Sequence, residues 1–514
     1  MADTPPSPAP SVAPRPALGA GPQHLEGTQS GASASTPAAS NSRAAPAAPP
    51  ANTAGLDISH RRIWRIAGPA IAANIATPLV GLVDTAIIGA LPGAEHLAAV
   101  GIGATIFSML FWSFGFLRMG TTGQAAQALG RGDTDAFLLL IVRSGLTAFG
   151  LGVLLLVLQT PLLWAGMQLL GPSSTVEAMA ESYVHIRIWS APFTLMTYVA
   201  TGFLIGLGRT EHALMLQLVM NAVNLGCNLL FVAVFNYGVA GIAYGTLIAE
   251  VTSAVLGWGM VVAYFGGPAL AHALGRAATW QLEGFLAVAK VNGYLFVRTM
   301  LLIGAFSFLT RQAAQMSDAA LAAAQILLTF TLLISLGLDG LAYAGEALVG
   351  RALGEGRKTL LIQAHRRCAA WAVVTACAYA AAFAAFGSEI NALLTDNTPI
   401  LTRLADMQLL IALTPLVGWM SYHYDGVYIG LTATRAMMLT MLLAVACFVP
   451  AALYLPELAS NQMPNLGLTP LGGLWLALLC FLAVRGLSQA AWLPRLLQQL
   501  EANGSFNART DTAR

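Results

Sequence analysis

The stretch RIAGPAIAANIATPLVGLVDTAIIGA, residues 65–90, is apolar almost throughout and holds a single carboxylate, Asp84. A helix crossing about 30 Å of hydrocarbon needs roughly 20 predominantly apolar residues, and this run supplies them. Comparable runs recur to the end of the 514-residue chain, of which 57% is hydrophobic and only 9% charged. A soluble domain carries about a quarter charged residues, so the composition is that of an all-α polytopic membrane protein. The net charge of +2 gives no basis for nucleic-acid binding. Cys227, Cys368, Cys377, Cys447 and Cys480 lie inside apolar segments at no metal-ligand spacing and read as small core residues.

The apolar runs number about twelve. Their approximate limits are 63–90, 96–128, 135–163, 178–208, 211–235, 238–265, 285–310, 319–350, 359–387, 400–431, 434–456 and 468–495, separated by short polar links such as LPGAEH, GRGDTD and TDNTP. Residues 1–55 are Pro-, Ala- and Ser-rich without apolar periodicity and are expected to be a disordered cytoplasmic extension rather than a signal peptide. Residues 497–514 form a polar tail. Basic residues concentrate on cytoplasmic links, and here Arg61, Arg62 and Arg65, then Arg131, Arg209, Arg276 with Lys290, Arg351 to Arg367, Arg435 and Arg495 fall on one side. Arg311 and Arg403 are the exceptions, and both termini are expected in the cytoplasm.

A shift of 224 residues superposes distant blocks. Leu97-Ala98-Ala99 falls on Leu321-Ala322-Ala323, Ala128-Leu129-Gly130 on Ala352-Leu353-Gly354, and TGFLIG at 201–206 on DGVYIG at 425–430. Two six-helix lobes, residues 56–270 and 271–496, account for this, and an even number of spans makes the repeats parallel. Such a fold places a cleft between two bundles.

A carboxylate near the bilayer centre costs at least about 2.5 kcal/mol, which makes Asp84 a functional residue by default. Its counterpart at the 224-residue shift is Phe308, so repeat symmetry does not require an acid there. Burial favours the neutral form of a carboxyl group, which suits a group that loads and releases a proton. Pro69 removes one hydrogen bond from the same span and lets it bend. Asn224 and Asn228 are four apart on one helical face, as are Thr246 and Glu250, and these four are expected to surround Asp84 in a polar cavity of the N-lobe. In the C-lobe, Arg298, Asp339, Glu346 and Asp425 are expected to form one buried charge network. Met109, Phe111, Trp112, Met196 and Tyr198 are candidates for an apolar cavity wall. No P-loop, zinc-protease helix or hydrolase triad is present, so an ion gradient rather than ATP is the expected energy source, and no metal site or cofactor is expected.

RIAGPAIAANIATPLVGLVDTAIIGALPGAEHLAAVGIGATIF, FLRMGTTGQAAQALGRGD, LDGLAYAGEALVGRALGEG and YDGVYIGLTATRA resemble the multidrug and toxic compound extrusion (MATE) family, in its DNA-damage-inducible F branch, over residues 60–495. The resemblance implies a monomeric twelve-helix inner-membrane antiporter that exchanges external protons for small organic, amphipathic and often cationic compounds. It implies that Asp84 is the cation-coupling carboxylate, that Pro69 is the proline whose bend accompanies protonation, and that Asn224, Asn228 and Thr246 are the polar positions of spans five and six. Several relatives have a second aspartate where this chain has Asn228. Sodium-coupled relatives use acids on spans seven and ten, and Arg298 and Thr299 on span seven here favour proton coupling. A lipid or lipid-linked precursor flippase is the alternative, disfavoured by the scarcity of buried basic residues beyond Arg187 and Arg298. A non-transporting scaffold or intramembrane enzyme lacks any catalytic constellation to support it.

Overall fold

The computed structural model describes residues 56–506, apart from residues 90–92, 172 and 463–468 and the side chains of residues 79, 80 and 460–462. The expected N-terminal extension at 1–55 and the end of the expected tail lie outside the described residues. The first lobe contains α1 (His60–Gly89), α2 (Ala94–Ser113), α3 (Phe116–Arg131), α4 (Thr134–Val157), α5 (Gln159–Leu170), α6 (Ser174–Arg187), α7 (Ala191–Gly206), α8 (Thr210–Asn228), α9 (Gly238–Phe265) and the short α10 (Gly267–Gly275). The second contains α11 (Leu282–Met316), α12 (Asp318–Gly354), α13 (Lys358–Leu394), α14 (Thr398–Asp406), α15 (Gln408–Gly430), α16 (Thr434–Gln462) and α17 (Pro470–Ala502). Among the described residues, eleven segments are long and apolar enough to cross a membrane, and α14 with α15, bent by 54°, makes a twelfth. The last helix continues to Ala502, past the lobe end expected at 496.

The 224-residue repeat is a repeat of helix boundaries. Ala94, Thr134, Ser174 and Thr210 begin α2, α4, α6 and α8, and the same shift lands on Asp318, Lys358, Thr398 and Thr434, which begin α12, α13, α14 and α16. Helix ends repeat as well. Gly132 and Gly356 have φ of 66° and 69°, and Gly208 and Thr432 have φ of 68° and 51°. Arg209 N–H donates to the Leu204 carbonyl and Ala433 N–H to the Tyr428 carbonyl, both at 2.9 Å, the backward bond of a Schellman cap. Thr432 therefore keeps a left-handed cap with a β-branched side chain, a conformation that favours glycine.

The lobes meet where α12 packs on α1 and α3, and α15 on α3. A Cβ at Gly123 would collide with the Ile429 carbonyl, and one at Gly130 with the Arg351 carbonyl, so backbone lies against backbone across the seam. Gln127 Nε2 donates to the Gly430 carbonyl at 2.8 Å and to Thr432 Oγ1 at 3.2 Å. Asn74 Nδ2 donates to Leu336 O at 3.1 Å, Arg367 Nη1 to Ile58 O at 2.8 Å, and Trp371 Nε1 to His60 Nδ1 at 3.0 Å. Asn74 lies about 20 Å along α1 from His60 at 1.5 Å per residue, so these links tie the lobes together over the half that carries the basic clusters.

Candidate functional site

Thr210 Oγ1 donates to Ile66 O at 2.6 Å, Asn221 Nδ2 to Ala76 O at 2.8 Å, and Asn228 Nδ2 to Asp84 Oδ1 at 2.6 Å. Each step pairs residues 144 or 145 apart, so α1 and α8 run parallel and in constant register from their N-terminal ends to Asp84. Asn221 on α8 is thus one rung of this ladder. α1 is one uninterrupted helix through Pro69 and also through Pro78, six residues before Asp84. Each proline lacks an N–H, which frees one carbonyl of the preceding turn.

Asp84 is 7% exposed. Asn228 Nδ2 also reaches Asn224 Oδ1 at 3.1 Å, and Asn224 Nδ2 donates to Thr246 Oγ1 at 3.1 Å, so one string of polar side chains joins α1, α8 and α9. Asn228 is the last α-helical residue of its span, because Leu229–Val234 is a π-helix. Such wide turns are rare and recur at functional sites. The expected face of Asn224 and Asn228 thus forms and reaches Asp84.

Glu250 belongs to a neighbouring cluster. It accepts from Thr194 Oγ1 at 2.5 Å and meets Arg187 Nη2 at 3.6 Å. Arg187 Nη1 donates to the Tyr183 hydroxyl at 2.7 Å, and its guanidinium lies 4.8 Å from the Phe107 ring centroid. Tyr183 and Thr194 carry no sequence signal beyond the i, i+4 spacing of Tyr183 and Arg187 on α6.

The C-lobe charges divide rather than forming the one expected network. Arg298 and Arg485 both bond Asp425 Oδ2, and Gln489 Nε2 donates to Asp425 Oδ1 at 3.1 Å. Glu346 instead pairs with Arg118 Nη1 of the N-lobe at 3.2 Å, and the Arg118 guanidinium lies 4.3 Å from the Tyr343 ring centroid. Asp339 makes no hydrogen bond or ion pair among the described residues. Glu346, seven residues from Asp339 on α12, faces the other lobe, whereas Asp425 on α15 is turned towards α11 and α17. Arg298 and Arg485 are buried and Arg118 and Arg187 are mostly so, and each of the four is engaged with a carboxylate, which is two more than the two expected.

Phe308, the repeat counterpart of Asp84, lines an apolar cavity of about 380 Å³ with Phe296, Met300, Leu301, Val445 and Val449. Of the residues expected to wall an apolar cavity, Phe111 is core, and Met109 and Trp112 are about half exposed. Equivalent places in the two lobes therefore have opposite character, an acid in one and an apolar hollow in the other.

The MatE family model matches this chain twice, over residues 69–237 and 295–453, once in each lobe. The chain belongs to the MATE family. It is a membrane transporter, not an enzyme. It is 34% identical to DNA damage-inducible protein F of Escherichia coli (strain K12), over 85% of this chain and 92% of that protein. It is 24% identical to the multidrug resistance protein MdtK of Edwardsiella ictaluri (strain 93-146), over 85% and 96%. The Vibrio cholerae MATE transporter VcmN in its bent form has the same fold, with a TM-score of 0.74 at 22% identity over 87% of this chain and 98% of that one. In this MATE chain the first matched segment carries Asp84, Asn224 and Asn228, and the second carries Arg298, Glu346 and Asp425.

Proposed function

We propose that this MATE protein is a proton-coupled antiporter that exports small organic, amphipathic and often cationic compounds by alternating access. The observation that carries the reading is the setting of Asp84, a buried carboxylate held by a neutral amide rather than by an arginine. Among the described residues, Arg118, Arg187, Arg298 and Arg485 are each engaged with other acids. An acid without a fixed counter-ion is free to change its proton occupancy, and each change alters its bonding to Asn228 and through it to Asn224 and Thr246. Pro69, like Pro78, is a place where α1 can bend in response. The driving force is the proton gradient, with no bound cofactor.

The apolar cavity around Phe308 supports an amphipathic cargo, since it offers a dry wall in the C-lobe while the N-lobe carries the polar string. The protein acts as a monomer in the cytoplasmic membrane with both termini inside. In that orientation the interlobe links lie in the cytoplasmic half, so the conformation is closed to the cytoplasm. Proton and substrate need only disfavour one another for exchange to result.

The test is ethidium flux in vesicles under an imposed pH gradient, comparing wild type with Asp84→Asn at equal reconstitution. Gradient-driven flux that survives replacement of sodium and collapses in the variant supports the reading. Normal flux in Asp84→Asn overturns the coupling assignment.

A further inference from the structure

Arg187 is held loosely for a buried cation. Its contact with Glu250 Oε1, at 3.6 Å, is longer than a charge-assisted hydrogen bond, while the other Glu250 oxygen is taken by the Thr194 hydroxyl at 2.5 Å. The Arg187 side chain is 14% exposed and that of Glu250 10%. Arg187 Nε is buried with no hydrogen-bond partner. The guanidinium's remaining contacts, the Tyr183 hydroxyl and the Phe107 face, form a pivot on which it can turn without leaving its pocket.

The charged and titratable groups that face Asp84 are few. Asn228 and Asn224 of α8, both uncharged, join Asp84 to Thr246 of α9, and Glu250, one turn further along α9, brings Arg187 and Tyr183 of α6 beside the same polar string. When Asp84 is ionised, two carboxylates share one guanidinium. When Asp84 is neutral, Arg187 and Glu250 balance. An unpaired buried charge is costly, so the position of the guanidinium must follow the proton.

We propose that Arg187 is a positioning residue that exchanges between two carboxylates, resting on Glu250 when Asp84 is protonated and turning towards Asp84 when it is ionised. This rests on the reading of Asp84 as the proton-coupling acid and adds a moving counter-ion to it. In one state α6 is tied to α9, and in the other to α1. The exchange therefore converts proton occupancy into a change of helix pairing inside the N-lobe.

The experiment is an infrared titration of the purified full-length protein in lipid, following the protonated-carboxyl stretch that Asp84→Asn removes. Arg187→Gln is expected to move the midpoint of that band to higher pH by about one unit or more, because the anion loses its cation. Glu250→Gln is expected to move it to lower pH, because the guanidinium is then free for Asp84. The double variant separates exchange from a static field: with Arg187 gone, Glu250→Gln should lose most of its effect, whereas two fixed charges would give additive shifts. Arg187→Lys, which keeps the charge, should return the midpoint towards wild type and guards against a folding defect. Unchanged midpoints or additive shifts overturn the exchange. If Asp84→Asn removes no titrating band, the underlying assignment of Asp84 falls instead, so the two failures are distinguishable.

Discussion

Arg118 and Glu346 come from opposite lobes and meet at 3.2 Å, with the arginine stacked on Tyr343 and side-chain exposures of 14% and 2%. Any motion that parts the lobes at their basic end must break this pair or carry both charges together. Its geometry makes it a latch, because the attraction is strong where water is scarce and fades once the seam is wetted.

Removing one member of this latch should cost stability. Glu346→Gln and Arg118→Gln are each expected to destabilise the detergent-purified protein by about 2 kcal/mol, a loss of a charged hydrogen bond in a mostly buried place. The double variant should be little worse than the poorer single one, since both remove the same contact. Thermal unfolding of the four proteins checks this, and additive losses would show that the pair contributes no coupling energy.

Gly123 makes a sharper prediction about conformation. Valine there would meet the Ile429 carbonyl, and backbone cannot yield as a side chain can. Gly123→Val should hold the seam apart and abolish transport while leaving insertion intact. With the five native cysteines replaced, a cysteine at Gln127 should become reachable by an impermeant thiol reagent from the basic face in this variant and stay protected in the parent. Equal protection in both would remove the steric argument.

These seam contacts mark the limit of what was legible in the sequence. Hydrophobic run length gave the spans, and a fixed shift gave the two lobes, because both are properties of one helix or of the chain with itself. Asn224 and Asn228 were legible as one face because four residues make slightly more than one turn. Pairing between helices was not legible. Asp425 and Glu346 look alike in sequence, yet one faces α17 and the other the opposite lobe. Arg485 and Arg118 are single bases inside apolar runs, and only the packing assigns their partners. The bend at Met407 between α14 and α15 likewise has no glycine or proline to announce it.

Thr432 tests the cost of the repeat. Its left-handed backbone is unfavourable for a β-branched residue by about 1–2 kcal/mol, while its hydroxyl accepts a bond from Gln127. Thr432→Gly relieves the first and loses the second, so a change within about 1 kcal/mol is expected. Gly132→Ala has no hydroxyl to gain and should destabilise by about 1 kcal/mol. Unfolding midpoints measured side by side decide this, and a large loss in Thr432→Gly would mean that the Gln127 bond dominates.

Asn228 governs the acid it touches, and its replacement should move the pH dependence of flux with a definite sign. The amide N–H stabilises the carboxylate form of Asp84, so Asn228→Ala makes the proton harder to release and shifts the active range to higher pH. Asn228→Asp places a second carboxylate where the amide stood at 2.6 Å. Two such groups cannot readily both ionise, so one proton is held to still higher pH and the pair titrates as a unit. The expected order of flux midpoints is wild type, then alanine, then aspartate, the last displaced by about one unit or more. Ethidium flux measured against internal pH at a fixed gradient reads this order. A midpoint that stays put in both variants would separate Asn228 from the coupling chemistry, and an acid shift in Asn228→Asp would mean that Asp84 is not the group that titrates.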